Sequence, residues 1–262
     1  LFPELAGTAN QQYLSITLAD LLDHRAGIPA FEELEDYAIL PDFPGPIAGQ
    51  RAAFTAWLLE RSPATIPGHY LYSNAGYAVV AAMAERIMGK SWEELIEELV
   101  FTPLGLDGWF GWPGLAGANE PWGHLWAGGA LMPHDPHSEY RVPPLVAPAG
   151  DLSLDLGDYA ALLRLHRDGL LGADGLLHAA TIQRLHLPVG DYACGWSIGT
   201  RDGQAISVHF GSAGTFLCAA VICAERNLAF AVIANAAHPA TEAGLVELMD
   251  WIWGQSSGAR RS

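Results

Sequence analysis

Residues 67–77 carry two side chains suited to polarising a carbonyl group. Tyr72 and Asn74 lie just before a stretch with helical periodicity. An asparagine amide offers a hydrogen-bond donor and an acceptor to an ester or amide, and a tyrosine hydroxyl can act as a general acid or base. A simpler interpretation is also open, in which Ser73 or Asn74 only caps the helix and Tyr72 is a rim aromatic.

Residues 209–214 form a second segment that could serve chemistry, with the sequence His-Phe-Gly-Ser-Ala-Gly. Small residues at the end of a strand let a substrate approach the backbone, and an exposed N–H on an edge strand can stabilise an oxyanion. Taken alone, the pattern is equally typical of a glycine-rich turn after a strand with an incidental histidine.

The elements that must position these segments are helices in the first two thirds of the chain. Apolar spacing and capping residues predict helices over residues 18–25, 52–59, 75–88, 91–100, 157–166 and 178–186. Residues 105–150 are rich in Gly, Pro and Trp and are predicted to be irregular.

The last third has the periodicity of strands. Strand-like runs cover residues 192–200, 204–210, 215–224 and 228–234. Tight turns at residues 201–203 and 225–227 predict an antiparallel sheet, and a final helix over residues 241–253 has an apolar face to cover it. The sequence therefore predicts an α+β fold, with a mainly helical subdomain at residues 1–190 and the sheet subdomain at residues 191–262.

Four segments, in order, resemble one family, the penicillin-recognising serine hydrolases, which include class C β-lactamases, DD-peptidases and family VIII esterases. Residues 16–29 are similar to the family's I-T-hydrophobic-x-x-L-L-x-H-x-S-G-hydrophobic stretch, and residues 67–77 to its P-G-x-x-Y-x-N-x-G-Y stretch. Residues 149–153 look like its small-residue turn, and residues 209–211 like its His-x-Gly or Lys-Thr-Gly motif. The resemblance implies a serine β-lactamase/DD-peptidase-like fold.

The resemblance also implies roles for individual residues. Tyr72 would take part in proton transfer, and Asn74 would grip a carbonyl of the substrate. The backbone N–H of Ser212 would form half of an oxyanion hole, the other half being the N–H of the nucleophilic serine. The implied substrate-binding residues are His209, Phe210 and Gly211.

The family's Ser-x-x-Lys motif is absent from these residues. The only lysine is Lys90, and Ile87 stands where the serine would be. Sixteen residues of helix at ~1.5 Å each place Lys90 roughly 24 Å from Asn74. A tyrosine, whose pKa is ordinarily about 10, needs a neighbouring cation to become a base near neutral pH. We therefore expect the nucleophilic serine and the general-base lysine to lie outside this chain, which would be inactive by itself.

The function that the resemblance implies is hydrolysis of an ester, amide or peptide bond in a small-molecule substrate through an acyl-serine intermediate, without metal or organic cofactor. The His-x-Gly form favours esterase, amidase or peptidase chemistry, since lysine suits a β-lactam carboxylate better than a mostly neutral histidine does. A non-catalytic binding module of the same fold is the main alternative. Metal-dependent hydrolysis at His124, His134 and His137 is a third hypothesis, but their spacing fits no known ligand motif, which favours a solvated loop.

The composition of the chain limits the kinds of molecule that it is expected to bind. The 262 residues carry a formal net charge of −16, which disfavours nucleic acids and anionic membranes. Three cysteines without CxxC spacing do not suggest a disulfide framework. The chain begins Leu1-Phe2-Pro3, without an initiator methionine or a signal peptide, and we expect a preceding segment of the same protein to be its structural partner.

Overall fold

The computed structural model describes residues 2–256 and has the α+β composition predicted from sequence. The helices in chain order are α1 (Leu18–Leu22), α2 (Leu34–Ala38), α3 (Ile47–Leu59), α4 (Asn74–Met88), α5 (Trp92–Ile96), α6 (Thr102–Leu104), α7 (Pro113–Ala116), α8 (Leu156–Leu170), α9 (Ala179–Leu185) and α10 (Pro239–Ser256). The strands are β1 (Trp109–Phe110), β2 (His124–Ala127), β3 (Ala130–Pro133), β4 (Leu152–Ser153), β5 (Tyr192–Ala193), β6 (Trp196–Arg201), β7 (Gln204–Ser212), β8 (Leu217–Cys223) and β9 (Leu228–Ala234).

The described residues form two compact units. The first runs to Thr102 and includes Val142–Asp151, and the second comprises Pro103–Arg141 and the described residues from Leu152 onward. These limits differ from the predicted division at residue 190. Helix α8 packs against strands β8 and β9, so contacts group it with the sheet and not with the earlier helices.

The first unit is built around helices α3 and α4, which pack against each other and against the 3₁₀ helix Pro144–Ala149. Phe54 and Leu58 of α3 and Ala78 of α4 have no exposed surface. The small residues on α4 let the two helix backbones approach closely, while Phe54 fills the space between them and the surrounding loops. This core holds the start of α4, where the candidate residues Tyr72 and Asn74 lie.

A buried ion pair anchors α3 in the first unit. The Arg51 side chain is fully buried, and its guanidinium donates to Glu85 of α4 at 2.6 Å, to Glu93 of α5 and to the Pro144 carbonyl at 3.0 Å. Because a buried charge is costly unless it is paired, this cation ties α3 to three other elements of the first unit.

The second unit contains a five-stranded antiparallel sheet in the order β5-β6-β7-β8-β9. Helix α8 covers one face through Leu163, which packs with Ala220 and Ile222. Helix α10 covers the other face through Leu245 and Met249. Within residues 2–256, no helix combines the length and the apolar character needed to cross a membrane.

Two local features of this unit differ from the sequence prediction. The single strand predicted over residues 192–200 is interrupted at Cys194 and Gly195, where φ is 40° and 97°. That turn produces the separate strands β5 and β6. In addition, β2 and β3 form an antiparallel hairpin within the region predicted to be irregular.

Two histidines lie between helices α8 and α9 and the sheet, in a hydrogen-bonded chain. Nδ1 of His166 is 2.9 Å from Nε2 of His186, whose Nδ1 is 2.7 Å from the Ser207 hydroxyl. Burial lowers the pKa of His166 to about 4, and burial with His166 nearby lowers that of His186 to about 3. Both rings are therefore neutral at pH 7, and their centroids lie 5.4 Å and 5.0 Å from that of Trp196 in tilted arrangements.

We expect exchange of Arg51 for methionine to lower the free energy of unfolding by about 3–5 kcal/mol, because it leaves Glu85 buried without its cation. Urea denaturation measures the loss. Arg86→Met is the matched control, since its pair with Glu4 is exposed and should contribute less than about 1 kcal/mol. Equal losses in the two variants would contradict the assignment of Arg51 as the anchor.

We expect the free energy of unfolding to fall as the pH drops from about 6.5 towards 4. In this window the unfolded chain protonates His166 and His186 while the folded chain keeps them neutral, at a cost of about 1–2 kcal/mol per histidine at pH 5. Denaturation at pH 7.5 and pH 5 measures the difference. His186→Phe should reduce it and the exposed control His178→Gln should not; an unchanged difference in His186→Phe would refute the explanation.

Candidate functional site

The predicted site residues fall into two groups, one in each compact unit. Tyr72 and Asn74 belong to the first unit, and residues 209–212 belong to the second. Each group is built by local contacts of its own unit.

The backbone that carries Tyr72 and Asn74 is tied to the loop after α1. The Leu71 N–H donates to the His24 carbonyl at 2.8 Å, and the Asn74 N–H donates to the Ala30 carbonyl at 2.8 Å. Because these bonds bracket Tyr72, the chain enters α4 in a fixed direction. The motif-like segment at residues 16–29 thus has a structural role, because it fixes the backbone of the segment before α4 by hydrogen bonds.

His24 is the centre of this arrangement. Its side chain is buried, and Nδ1 accepts a hydrogen bond from the Ser73 N–H at 3.1 Å. Its ring centroid lies 4.4 Å from that of Tyr72 and 5.2 Å from that of Tyr77. Burial lowers the pKa of His24 to about 4, so the ring is neutral at pH 7 and carries its proton on Nε2. It therefore supplies no positive charge to the neighbouring phenol.

Ser73 has the structural role that the simpler interpretation proposed. Its hydroxyl accepts from the Gly76 N–H at 2.8 Å as the N-cap of α4, and it donates to the Pro29 carbonyl at 2.7 Å. Both functions of the hydroxyl are used, and the side chain is buried. The geometry gives no support to Ser73 as a nucleophile.

Tyr72 and Asn74 are presented differently from Ser73. The Tyr72 residue is 38% exposed, and partial burial raises the pKa of its phenol, with Glu32 adding to the effect. The Asn74 amide donates from Nδ2 to the Phe31 carbonyl at 2.9 Å, which fixes the orientation of the side chain. Tyr72 is thus a protonated phenol at neutral pH, able to donate a hydrogen bond but not to accept a proton as a base.

Lys90 lies where the sequence predicted it, beyond the far end of α4. The helix runs from Asn74 to Met88, and the Lys90 ammonium pairs with Glu98 in an exposed position. It is therefore not the cation that would lower the pKa of Tyr72.

In the second unit, strand β7 has hydrogen-bonded neighbours on both sides in its first part and on one side only at its end. It pairs with β6 only as far as the Ser197–Val208 pair, whereas its pairing with β8 continues to Ser212 and Leu217. Among the described residues, the segment 209–212 therefore has a strand neighbour on one side only. This stretch offers backbone groups to a ligand, as an oxyanion site requires.

His209 is held in one orientation at this open stretch. Nδ1 lies 2.9 Å from the Gly195 carbonyl, which can only accept a hydrogen bond, so Nδ1 carries the proton in the neutral ring. Nε2 is then an acceptor. It lies beside Gly211, 3.6 Å from the point where a Cβ would stand if that residue had a side chain. The interruption of β5 and β6 at Gly195 thus determines which nitrogen of His209 is available to a ligand.

The structure adds residues that sequence reasoning missed. Trp126, in the β2–β3 hairpin, stacks on His238 with centroids 4.5 Å apart, close to the start of α10. Gly128-Gly129 between two apolar runs is a typical two-residue hairpin turn and could have indicated the hairpin.

Two of the three histidines considered for a metal site, His124 and His134, use a ring nitrogen in a hydrogen bond within the protein. His124 Nδ1 lies 2.9 Å from the Asn235 carbonyl, and His134 Nε2 lies 2.7 Å from the Ser138 hydroxyl. Within the described part of the chain, no three His, Cys, Asp or Glu side chains are grouped as metal ligands would be.

Comparison with known proteins places the chain among serine hydrolases. The Beta-lactamase family model matches residues 4–248. The chain is 28% identical over 244 residues to Unguisins hydrolase ungD' of Aspergillus campestris (strain IBT 28561), covering 88% of this chain and 44% of that protein. The sequence therefore spans less than half the length of this relative.

Solved structures show the same fold. The octameric penicillin-binding protein homologue from Pyrococcus abyssi superposes with a TM-score of 0.68 at 20% identity, over 95% of this chain and 61% of that one. A class C beta lactamase from Rhodobacter sphaeroides gives a TM-score of 0.67 at 19% identity, over 91% and 71%. The β-lactamase/DD-peptidase-like fold inferred from the four sequence segments is confirmed.

We expect Gly27→Ala to destabilise the chain by about 2 kcal/mol or more. Gly27 has φ of 75°, and a Cβ there would lie 2.6 Å from the Thr65 carbonyl oxygen in the loop that precedes Tyr72. Gly68→Ala is the control, because φ is 99° but the space for a Cβ is open, so only backbone strain of about 1 kcal/mol is added. Urea denaturation should separate the two variants; a loss for Gly27→Ala no larger than for Gly68→Ala would show that the contact is unimportant.

Proposed function

Because the chain belongs to the beta-lactamase family of serine hydrolases, we propose that it supplies the substrate-polarising residues of an acyl-transferring hydrolase that cleaves an ester, amide or peptide bond. The observation that carries the proposal is the Tyr72–Asn74 pair, which is fixed at the start of α4 by the contacts of His24 and Ser73. A purely structural turn would not require both an exposed phenol and an oriented amide.

In the proposed reaction, Tyr72, ionised beside an added ammonium group, takes the proton of a serine hydroxyl as the serine oxygen attacks the substrate carbonyl and forms a tetrahedral intermediate. The oxyanion accepts a hydrogen bond from the Ser212 N–H, and Asn74 binds a carbonyl group of the substrate. Collapse breaks the bond to the leaving alcohol or amine, which takes that proton from Tyr72 and leaves an acyl-serine. Water then gives a proton to Tyr72 as it attacks the acyl carbon, and Tyr72 returns the proton to the serine oxygen as the acid is released.

The proposal requires a serine and a cation that these 262 residues do not supply in a Ser-x-x-Lys arrangement. Since partial burial and Glu32 raise the pKa of Tyr72, the phenol would become a base only beside an ammonium group. We propose that a preceding segment of the same protein supplies both groups. The match to only 44% of the fungal relative is consistent with a longer enzyme.

The substrate class follows from the same open stretch of β7. In its neutral form, His209 presents an acceptor at Nε2, whereas a lysine ammonium would present a donor and a charge. An uncharged ester, amide or peptide fits this environment better than a substrate that needs a cation at this position. We therefore favour esterase, amidase or peptidase activity over β-lactam hydrolysis.

A second candidate function is a non-catalytic binding module of the same fold. The absence of Ser-x-x-Lys from the sequence and the raised pKa of Tyr72 favour it. Such a module would keep the oriented amide of Asn74 and the open strand for recognition without forming an acyl-enzyme.

Covalent labelling of the native gene product separates the two functions. We expect a fluorophosphonate to add to one serine, on a peptide outside the 262 residues, with the corresponding mass increase. Tyr72→Phe in the full-length protein should reduce the rate of labelling about 100-fold or more, since proton transfer typically contributes 10²–10⁴-fold. Tyr13→Phe is a matched control, because its hydroxyl donates to the Gly27 carbonyl in the core.

The outcomes are distinct. A native product that takes up no label would refute the hydrolase proposal and support the binding module. Labelling of Ser73 or Ser212 would refute the placement of the nucleophile outside this chain.

A further inference from the structure

A cavity of about 380 Å³ lies in the second unit, between the end of β7 and the start of α10. Its walls include the side chains of Phe210, Leu217 and Pro239, and Gly211 brings the backbone of the open strand to its edge. Phe210 is 49% exposed, although it is a large apolar residue. A cavity of this volume is large enough for one aromatic or branched aliphatic group.

One polar group in the cavity has a defined hydrogen-bonding character. His238 lines it, and its Nδ1 accepts a hydrogen bond from the Ala240 N–H at 3.2 Å. The proton of the neutral ring is therefore on Nε2, which makes that atom a donor. Stacking of the ring on Trp126 restricts its rotation. Nε2 of His238 can thus donate to a carbonyl oxygen of a group held in the cavity.

The charge of the lining selects against anions. Glu242, in the first turn of α10, is the charged residue among the described residues that line the cavity, and none of them is Lys or Arg. A carboxylate placed here would be repelled by Glu242, and the Glu242 carboxylate also offsets the partial positive charge of the helix end. An uncharged group meets no such repulsion.

We infer that this cavity binds an uncharged apolar group of the substrate that carries a hydrogen-bond acceptor, such as the side chain and blocked carbonyl of a hydrophobic aminoacyl unit. Phe210 contacts the apolar portion, His238 donates to the carbonyl oxygen, and Glu242 excludes a free carboxylate. This inference rests on the proposed function, because it places the group next to the strand that would hold the oxyanion.

Equilibrium binding to the full-length native product tests the inference separately from catalysis. The probes are N-acetylphenylalanine amide, N-acetylphenylalanine as its carboxylate, and N-acetylalanine amide, titrated while the ring signals of His238 and the fluorescence of the tryptophans are recorded. We expect the phenylalanine amide to bind at least fivefold more tightly than either of the other two. The His238 signals should move on binding.

Two variants examine the assigned contacts. Phe210→Ala should weaken binding of the phenylalanine amide about tenfold or more. Glu242→Gln should change the affinity for the amide by less than twofold and should tighten binding of the carboxylate about fivefold. The ratio of the affinity for the amide to that for the carboxylate then falls. Trp251→Phe is the control, because Trp251 is 62% exposed on α10 and does not line the cavity.

The results that overturn the inference differ from those that overturn the proposed function. Undetectable binding, a carboxylate that binds as tightly as the amide, or an unchanged preference in Glu242→Gln would refute the subsite, even if the native enzyme is labelled by a fluorophosphonate. Failure of that labelling, with the amide preference intact, would refute the hydrolase and leave a binding site of the inferred chemistry.

Discussion

The hydrogen bond from the Ser73 N–H to Nδ1 of His24 is the interaction on which the first group of site residues depends. It requires an unprotonated Nδ1, and burial provides this by lowering the pKa of the ring to about 4. The same ring packs on Tyr72 and Tyr77. One neutral histidine thus fixes the backbone before α4 and supports the phenol that follows, without placing a charge beside it.

Electrostatics determines the protonation state of Tyr72 among the residues of this chain. Burial and the Glu32 carboxylate both oppose ionisation of Tyr72. The lysine of the chain is committed to Glu98, and Arg51 is paired with Glu85 and Glu93 in the core. Neither of these two cations therefore supplies a positive charge that would lower the pKa of Tyr72.

Much of the fold was predictable because its signals are local. The capping residues and apolar spacing of α4 define it to within one residue, and the turns at residues 201–203 and 225–227 correctly predicted antiparallel neighbours. The break at Gly195 was missed, because the apolar pattern continues through it while the backbone turns. The packing of α8 against the sheet was missed for another reason. Helical periodicity shows which face of a helix is apolar, but it does not show which element of the fold packs against that face.

The candidate site could be predicted only in part. Tyr72, Asn74 and residues 209–212 are candidates because motif spacing reports on backbone geometry, and their roles stay predictions. The tautomers of His209 and His238 depend on the carbonyl of Gly195 and the N–H of Ala240, contacts that no spacing rule encodes. His238 belongs to none of the motifs, and the start of α10 and the stacking of Trp126 bring it to the cavity beside Phe210.

The end of β7, which pairs with β8 but not with β6, bears on whether the chain could polymerise through this strand. An open strand edge is a template on which another chain can add a strand, and proteins usually protect such edges. Here the stretch without a β6 partner is limited to residues 209–212, and it includes a glycine. Four residues are too few to support a stable intermolecular ladder, so the backbone can remain open to a small ligand with little risk of polymerisation through this strand.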